Sequence, residues 1–505
     1  MEKRFMKSGL AALFCVAALA ALPVQAQQHL RLGVVELPPS RGNPYGGSGT
    51  PGIFTWSMFY DGLTFVDTKG VPGAALGQTW RNSDPTTWEF KLRAGVKFDN
   101  GEALDAEAVA AAVNWLLSEQ GKAQVVAREV SNFASARAVD ASTVEFKTKT
   151  PDAILPSRMA NIFIVAPKAW KDSGLEGYSN KPVGTGSYRV ESWAAEKVVL
   201  AARSDSWRPA KIPRVESISL PERPARTQAL LSGQLDVVIG VDTGDIQRIR
   251  AAGAEVAIAP APQVISLSMP NRVKPNSPFN DKRVRQAANF AVNKKAIVDG
   301  LFEGQAQVAT QGATPTAFGY NPNVKGYPYD PDRAKKLLAE AGHPNGFKAV
   351  AEVVVGSFAG DSEMYQLMAQ DLSKVGIQVE LRPIRFPDWL RKYQSNGWDG
   401  DTFGLSWQLA PYMDVIRAVA YYSCAQRPAV FFCDEETQKV IDASNSELDK
   451  AKREKLLHQV QERYFDLAPA LWLVEAIDVY GLSKRVRNFK DVNRTLLYHE
   501  MTLGG

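Results

Sequence analysis

The chain has 505 residues, 45% of them hydrophobic and 22% charged, and a formal net charge of +5. A single hydrophobic core does not grow to that size, so two or more domains are expected. The small charge excess is spread without a dense Lys/Arg run, which excludes the electrostatic footprint of a nucleic-acid binder or a polybasic membrane patch.

Residues 1–26 read as an export signal: Lys3, Arg4 and Lys7 precede an apolar run from Leu10 to Val24, and Val24-Gln25-Ala26 ends on small residues. Cleavage is expected after Ala26, giving a periplasmic chain. Loss of Lys3, Arg4, Lys7 and Glu2 lowers the charge by two, to +3. Cys15 follows Phe14, where a lipoprotein signal requires Gly or Ala.

Residues 86–101 alternate Trp88, Phe90, Leu92 and then Val96, Phe98, predicting a hairpin or two successive strands. Residues 105–119 follow as an Ala-rich helix capped by Asp105, and "TVEFKTK" is a further strand. In "PVGTGSYRVESW" the Gly184-Thr185-Gly186 triplet invites a phosphate-loop reading. That reading requires a following helix, whereas Tyr188 and Val190 alternate at period two. The triplet is therefore read as a tight turn entering a strand. "KVVLAAR" and "VESISL" are strands, and "ARTQALLSGQLDVVIG" is a helix, a turn and a buried strand.

From about Phe279 the pattern becomes α/β. "FNDKRVRQAANFAVNKKAIVDGLF" is helical with a break near Asn293. Residues 330–342 are a helix with Asp330 at the cap, Pro331 at the first position and Gly342 past the end. "KAVAEVVVG", "DSEMYQLMAQDLSKVG" and "IQVELRPI" form a βαβ unit, expected to be parallel and right-handed. Cys424 and Cys433, nine positions apart, are the expected disulfide pair of an exported chain; closing so short a loop stabilises by about 2–3 kcal/mol in the chain-entropy model. "SELDKAKREKLLHQVQERYFDLAP" is a long helix with Leu448, Leu456, Val460 and Tyr464 as its apolar face, and "ALWLVEAIDVYGL" a buried strand returning to an earlier domain. No linker or repeat separates the domains. His29, His343, His458 and His499 are scattered, with no metal-ligand spacing, and no cofactor is expected.

The order of "FYDGLTFVDTKGVPGAALGQTWRNSDPTTWEFKLRAGVKFDNGEALDAEAVAAAVNWL", "PVGTGSYRVESW", "LLSGQLDVVIG" and "FNDKRVRQAANFAVNKKAIVDGLFEGQA" resembles the family 5 extracellular solute-binding proteins, the peptide, dipeptide, nickel and glutathione receptors of ABC importers. The resemblance spans nearly the whole mature chain. It implies an α/β, two-lobe periplasmic binding protein fold (type II, large class) that closes about two hinge strands. Lobe 1 would comprise residues 27–54, 184–264 and 480–505, with an inserted subdomain at 55–183; lobe 2 would be 265–479. Gly184 and Gly186 would then mark the return from the insert into lobe 1, supplying backbone angles that other residues tolerate poorly. Capture by closure, delivery of a peptide or small-molecule ligand to ABC permease subunits, and a monomeric state are implied with it.

Two ligand anchors of the dipeptide receptors are missing. Ala410 stands where an aspartate pairs with the ligand's ammonium group. Ser357 stands at the tyrosine of an Arg-Pro-Tyr that holds its carboxylate, with no arginine nearby. A buried unpaired charge is costly, so a free zwitterionic dipeptide is disfavoured, and a nickel complex is disfavoured by the lack of histidine in these segments. The candidate ligand contacts are Trp407, Gln408, Tyr412 and Asp414 on one segment, Ser357, Phe358 and Asp361 on another, and Tyr45 and Trp56 from lobe 1. Trp407 either stacks on the ligand or packs in the core. Asp414 either replaces the lost ammonium anchor, a role also open to Asp361, or caps a helix. For Tyr45 and Trp56 the competing reading is ordinary lobe packing. Longer peptides, peptide-like conjugates and non-peptide organic solutes remain open. A secreted hydrolase would need a nucleophile with its base, paired carboxylates or a metal cluster, and no such spacing is found; a periplasmic chaperone or chemoreceptor partner would share the binding fold.

Overall fold

A computed structural model of the chain describes residues 28–47, 49–355, 360–426 and 430–504. The signal segment with its cleavage site, and Ser357 and Phe358, lie outside them.

Two long strands, Glu255–Ser268 and Ala470–Leu482, organise the molecule. They pair antiparallel from Glu255 opposite Leu482 to Ser268 opposite Ala470, and the ladder slips between Pro260 and Val264. Pro260 and Pro262 have no N–H to give to it. On one side of the slip the sheet continues through Val237–Ile239, His29–Val34, Arg214–Ser219, Lys197–Ala202 and Tyr188–Trp193; on the other it continues through Thr402–Gly404, Phe347–Val354 and Ile377–Ile384. Tyr480 and Leu482 enter one apolar core, with Leu30, Leu32 and Val215, whereas Leu267, Leu471 and Leu473 enter another, with Ala351 and Phe403. The result is two α/β lobes joined by a pair of strands, and the boundary expected between residues 264 and 265 falls inside the first of them.

Glu475 sits near the slip, opposite Val264 on one neighbour and Gln307 on the other. Burial pushes its carboxyl up to about 7 from 4.5. The folded state holds this proton longer than the unfolded chain, so stability present below about pH 4.5 is lost as the pH rises towards 7. Denaturant titrations of Glu475→Gln are expected to remove about 1–3 kcal/mol of that decline, the range being discounted for partial solvent screening. Parallel pH profiles for the two proteins would remove Glu475 as its source.

A four-stranded antiparallel sheet, in the order Gly77–Asp84, Thr87–Leu92, Thr143–Thr148, Phe133–Asp140, packs under the helix Ala106–Leu117. Asp105 caps this helix, accepting from Ala108 N at 2.9 Å. The second strand expected at Val96 and Phe98 is only a bridge between Lys97 and Ala103. The hairpin partner of Thr87–Leu92 is instead the preceding strand Gly77–Asp84, which is largely exposed and has no apolar alternation to reveal it.

Neither Gly184 nor Gly186 has a positive φ, which corrects the expected reason for the glycines. A Cβ on Gly184 would lie 1.8 Å from the Phe59 carbonyl oxygen, and one on Gly186 2.6 Å from the Phe59 carbonyl carbon. The two chains run this close because Gly186 N donates to Phe59 O and Tyr188 N to Met58 O, both at 3.0 Å. Gly184→Ala is expected to cost about 1–3 kcal/mol in urea denaturation, the overpacking range. Gly300→Ala, at a helical position with nothing within 4 Å, should be neutral or stabilising. Equal effects at both sites would refute the close-approach account.

In the second lobe, Asn293 separates the helices Lys282–Ala291 and Lys294–Leu301 by accepting from Ala296 N at 3.1 Å. Asp330 caps Pro331–Glu340, and Phe347–Val354 pairs parallel with Ile377–Ile384 around the helix Asp361–Ser373. The long charged segment departs from expectation. Asp449 caps a helix at Lys450–Leu467 that follows a separate helix, Glu435–Ser446, and the buried stripe is Arg453, Leu457, Val460, Gln461 and Tyr464. Leu448 falls before the cap, 38% exposed, and Leu456 is only half-buried.

Candidate functional site

The lobes meet where residues 128–129 and 152–158 of the segment expected as the insert face residues 412–421. Asp152 Oδ1 accepts from Ile154 N at 3.2 Å and leads into the short helix Leu155–Arg158. Arg158 Nε lies 3.1 Å from Asp152 Oδ2, and its Nη1 3.6 Å from Glu129 Oε2. Arg128 Nε is 3.2 Å from Glu129 Oε1. Glu129 and Asp152 are both buried. Across the interface Arg158 Nη1 donates to Tyr412 Oη at 3.4 Å, its guanidinium 5.5 Å from the ring centre.

Tyr412 is shared: the Arg417 guanidinium lies 5.9 Å from the same ring and 5.1 Å from that of Tyr421, to whose hydroxyl Arg417 Nη1 donates. Burial pushes the Tyr421 phenol up, but Arg417 and Arg128 outweigh it and hold its pKa below the usual value. Burial likewise opposes the charge on Arg417, and Tyr421 and Glu129 more than restore it. Gln426 Nε2 donates to Tyr393 Oη at 2.6 Å beside this group. Elsewhere between the lobes Ala153 N donates to Asn445 O at 3.2 Å, and Val66 and Ile154 join the second lobe's core. Buried guanidinium, phenol and carboxylate groups drawn from both lobes can recognise a polar solute by its hydrogen bonds.

The sequence-derived candidates are distributed unevenly about this interface. Tyr412 is in it. Gln408 is half-buried beside the hinge, opposite Gln263, and its Oε1 has no hydrogen-bond partner among the described residues. Trp407 is fully buried, stacked on Tyr422 at 4.1 Å with Gly312 against its ring. Asp414 Oδ1 caps the helix Val415–Val419 by accepting from Ile416 N, and its two oxygens lie 3.2 and 2.6 Å from buried Arg453. Asp361 is buried at the start of its helix. Tyr45 packs between Trp115 and Trp170 and donates to Phe163 O; Trp56 Nε1 donates to Arg41 O. Both are lobe-core positions. Cys424 and Cys433 are joined as a disulfide. Sequence reasoning missed Arg128, Glu129, Asp152, Arg158, Arg417 and Tyr421. Only Arg417 carried a local signal, as a lone cation within the apolar run Val415-Ile416-Arg417-Ala418-Val419.

The chain is similar, at 25% identity over 503 residues covering 96% of each chain, to the glutathione-binding protein GsiB of Pectobacterium atrosepticum. Its fold matches that of the ABC transporter-associated periplasmic binding protein DppA from Helicobacter pylori in complex with the peptide STSA, with a TM-score of 0.81 at 22% identity, covering 94% of this chain and 98% of the other. It also matches AgaA from A.tumefacien R10 in complex with agropinic acid, with a TM-score of 0.81 at 22% identity, covering 94% and 99%. The family model for bacterial extracellular solute-binding proteins, family 5 Middle, matches residues 69–427, and with a match over more than half its length the chain belongs to that family.

Proposed function

We propose that the chain, exported and cleaved after Ala26, is the periplasmic receptor of an ABC importer, capturing a peptide or peptide-like solute between its lobes and presenting it to the permease as a monomer. It performs no catalysis. The observation that carries this reading is the Arg158–Tyr412 contact: a half-buried guanidinium and a buried phenol from the two sides of a two-strand hinge meet there. The lobes keep the boundaries drawn from the sequence, with the insert at 55–183. Gln408 and Tyr412, with Ser357 and Phe358 outside the described residues, contact the solute. Trp407, Asp414, Tyr45 and Trp56 hold the framework. Glutathione and the peptide STSA, named for two of the similar proteins, support a peptide or peptide-like solute. Agropinic acid in one similar fold keeps a non-peptide organic solute as the second reading. The test is to denature purified protein and identify what is released by mass spectrometry, then to screen peptides and small solutes for a rise in melting temperature. A ragged peptide ladder supports the first reading and a single non-peptide species the second. Turnover of the screened compounds would remove both.

A further inference from the structure

Arg417 is 7% exposed, and its surroundings differ from those of the other buried arginines. Arg203, Arg453 and Arg494 have Asp205, Asp414 and Asp478. Arg226 and Arg285 have no carboxylate within ion-pair distance among the described residues, but each donates to several backbone carbonyls: Ile239, Leu220, Pro221 and Gly240 for the first, Leu467, Phe279 and Asn280 for the second. Among the described residues Arg417 donates only to the Tyr421 hydroxyl, and its Nε makes no hydrogen bond. A buried guanidinium left with unused donors is costly. Its place in the interface is fixed by Tyr412, whose ring it shares with Arg158 of the opposite side.

The charges around it are unequal. Glu129 faces Arg128, Arg158 and Arg417, Asp152 faces Arg158, and the two carboxylates are already engaged by Arg128 and Arg158. One positive charge is left over among these groups, matched by a monoanion. A planar guanidinium fork flanked by a phenol suits a carboxylate, which takes two parallel N–H bonds.

We propose that Arg417, with the Tyr421 hydroxyl beside it, anchors a carboxylate of the captured solute in the interlobe cleft. This rests on the receptor reading above. It places the anchor on the segment that has lost the ammonium partner at Ala410, so the solute is recognised there by an acid group rather than an amine.

The test uses the ligand fraction released from the full chain by denaturation, half of it left intact and half methyl-esterified. Each half is added back to stripped, refolded protein and the melting temperature is read. The intact fraction is expected to raise it by several degrees and the esterified fraction to leave it unchanged. Arg417→Gln should lose about 10- to 150-fold in affinity for the intact fraction, the range for charge-assisted hydrogen bonds. Arg417→Lys, which keeps the charge without the fork, should recover part of that loss and guards against a folding defect in the glutamine variant. Equal shifts with the intact and esterified fractions, or Arg417→Gln binding as tightly as the parent, would overturn the carboxylate anchor while leaving the receptor reading in place. No shift with either fraction would overturn both.

Discussion

Replacing Asp414 by alanine is expected to lower the free energy of unfolding by about 3–5 kcal/mol, the cost of breaking a buried ion pair from one side. Asp414 and Arg453 are each under 7% exposed at their side chains, with oxygen-to-nitrogen distances of 2.6 and 3.2 Å. Once the carboxylate is gone, the guanidinium keeps, among the described residues, only the bond from Nε to Ser444 O at 3.1 Å and the face of Phe318 at 5.2 Å. The helix Val415–Val419 loses its cap at the same time, since Asp414 Oδ1 also accepts from Ile416 N. Urea denaturation of the variant measures the sum. The double variant Asp414→Leu/Arg453→Met should lie well above Asp414→Ala, because both desolvation costs disappear with the charges. A loss below about 1 kcal/mol for Asp414→Ala would mean that water reaches Arg453 and that the pair behaves as a surface bridge.

That ion pair also shows where the sequence stops being informative. The capping role of Asp414 was legible, because an aspartate directly before an apolar run is a local signal. Its partner stands 39 positions later, on a helix whose buried stripe was expected at Leu456 rather than Leu457. Asp105 and Asp330 likewise announced their helices through the residues that follow them. The parallel strands around Asp361–Ser373 were visible because length and period agree. The strand Gly77–Asp84 was invisible, since an exposed edge has no apolar face to write into the sequence. Gly184 signalled a turn, but the Phe59 carbonyl that requires a glycine there is more than a hundred positions away. The interlobe group is the extreme case. Arg158 and Tyr412 are separated by 254 positions, and nothing local to Arg158 distinguishes it from a solvated arginine. Family resemblance directed attention to the segment containing Arg417, but through the anchors that are absent from it rather than through the guanidinium that is present.

Trp407→Ala is expected to cost about 3–5 kcal/mol, the range for emptying a buried aromatic site. The indole is fully buried and stacked on Tyr422 with an interplanar angle of 9°, and it meets Tyr464 and Trp472 edge-on at 5.8 and 5.7 Å. A Cβ on Gly312 would come within 2.0 Å of Trp407 Cε3, so Tyr422 and Gly312 both press on the ring. Among the described residues its Nε1 has no hydrogen-bond partner, and Trp407→Phe should therefore cost less, through lost volume alone. Gly312→Ala should be destabilising in the parent and tolerated once Trp407 is alanine, an interaction of about 0.5–3 kcal/mol in a double-mutant cycle. A ring held in this way has its effect on the free protein. Trp407→Ala should then lower the unfolding free energy while the rise in melting temperature produced by the released solute persists. The opposite outcome, an unchanged unfolding free energy with a solute response lost, would place the ring against the solute and return Trp407 to the binding surface beside Gln408.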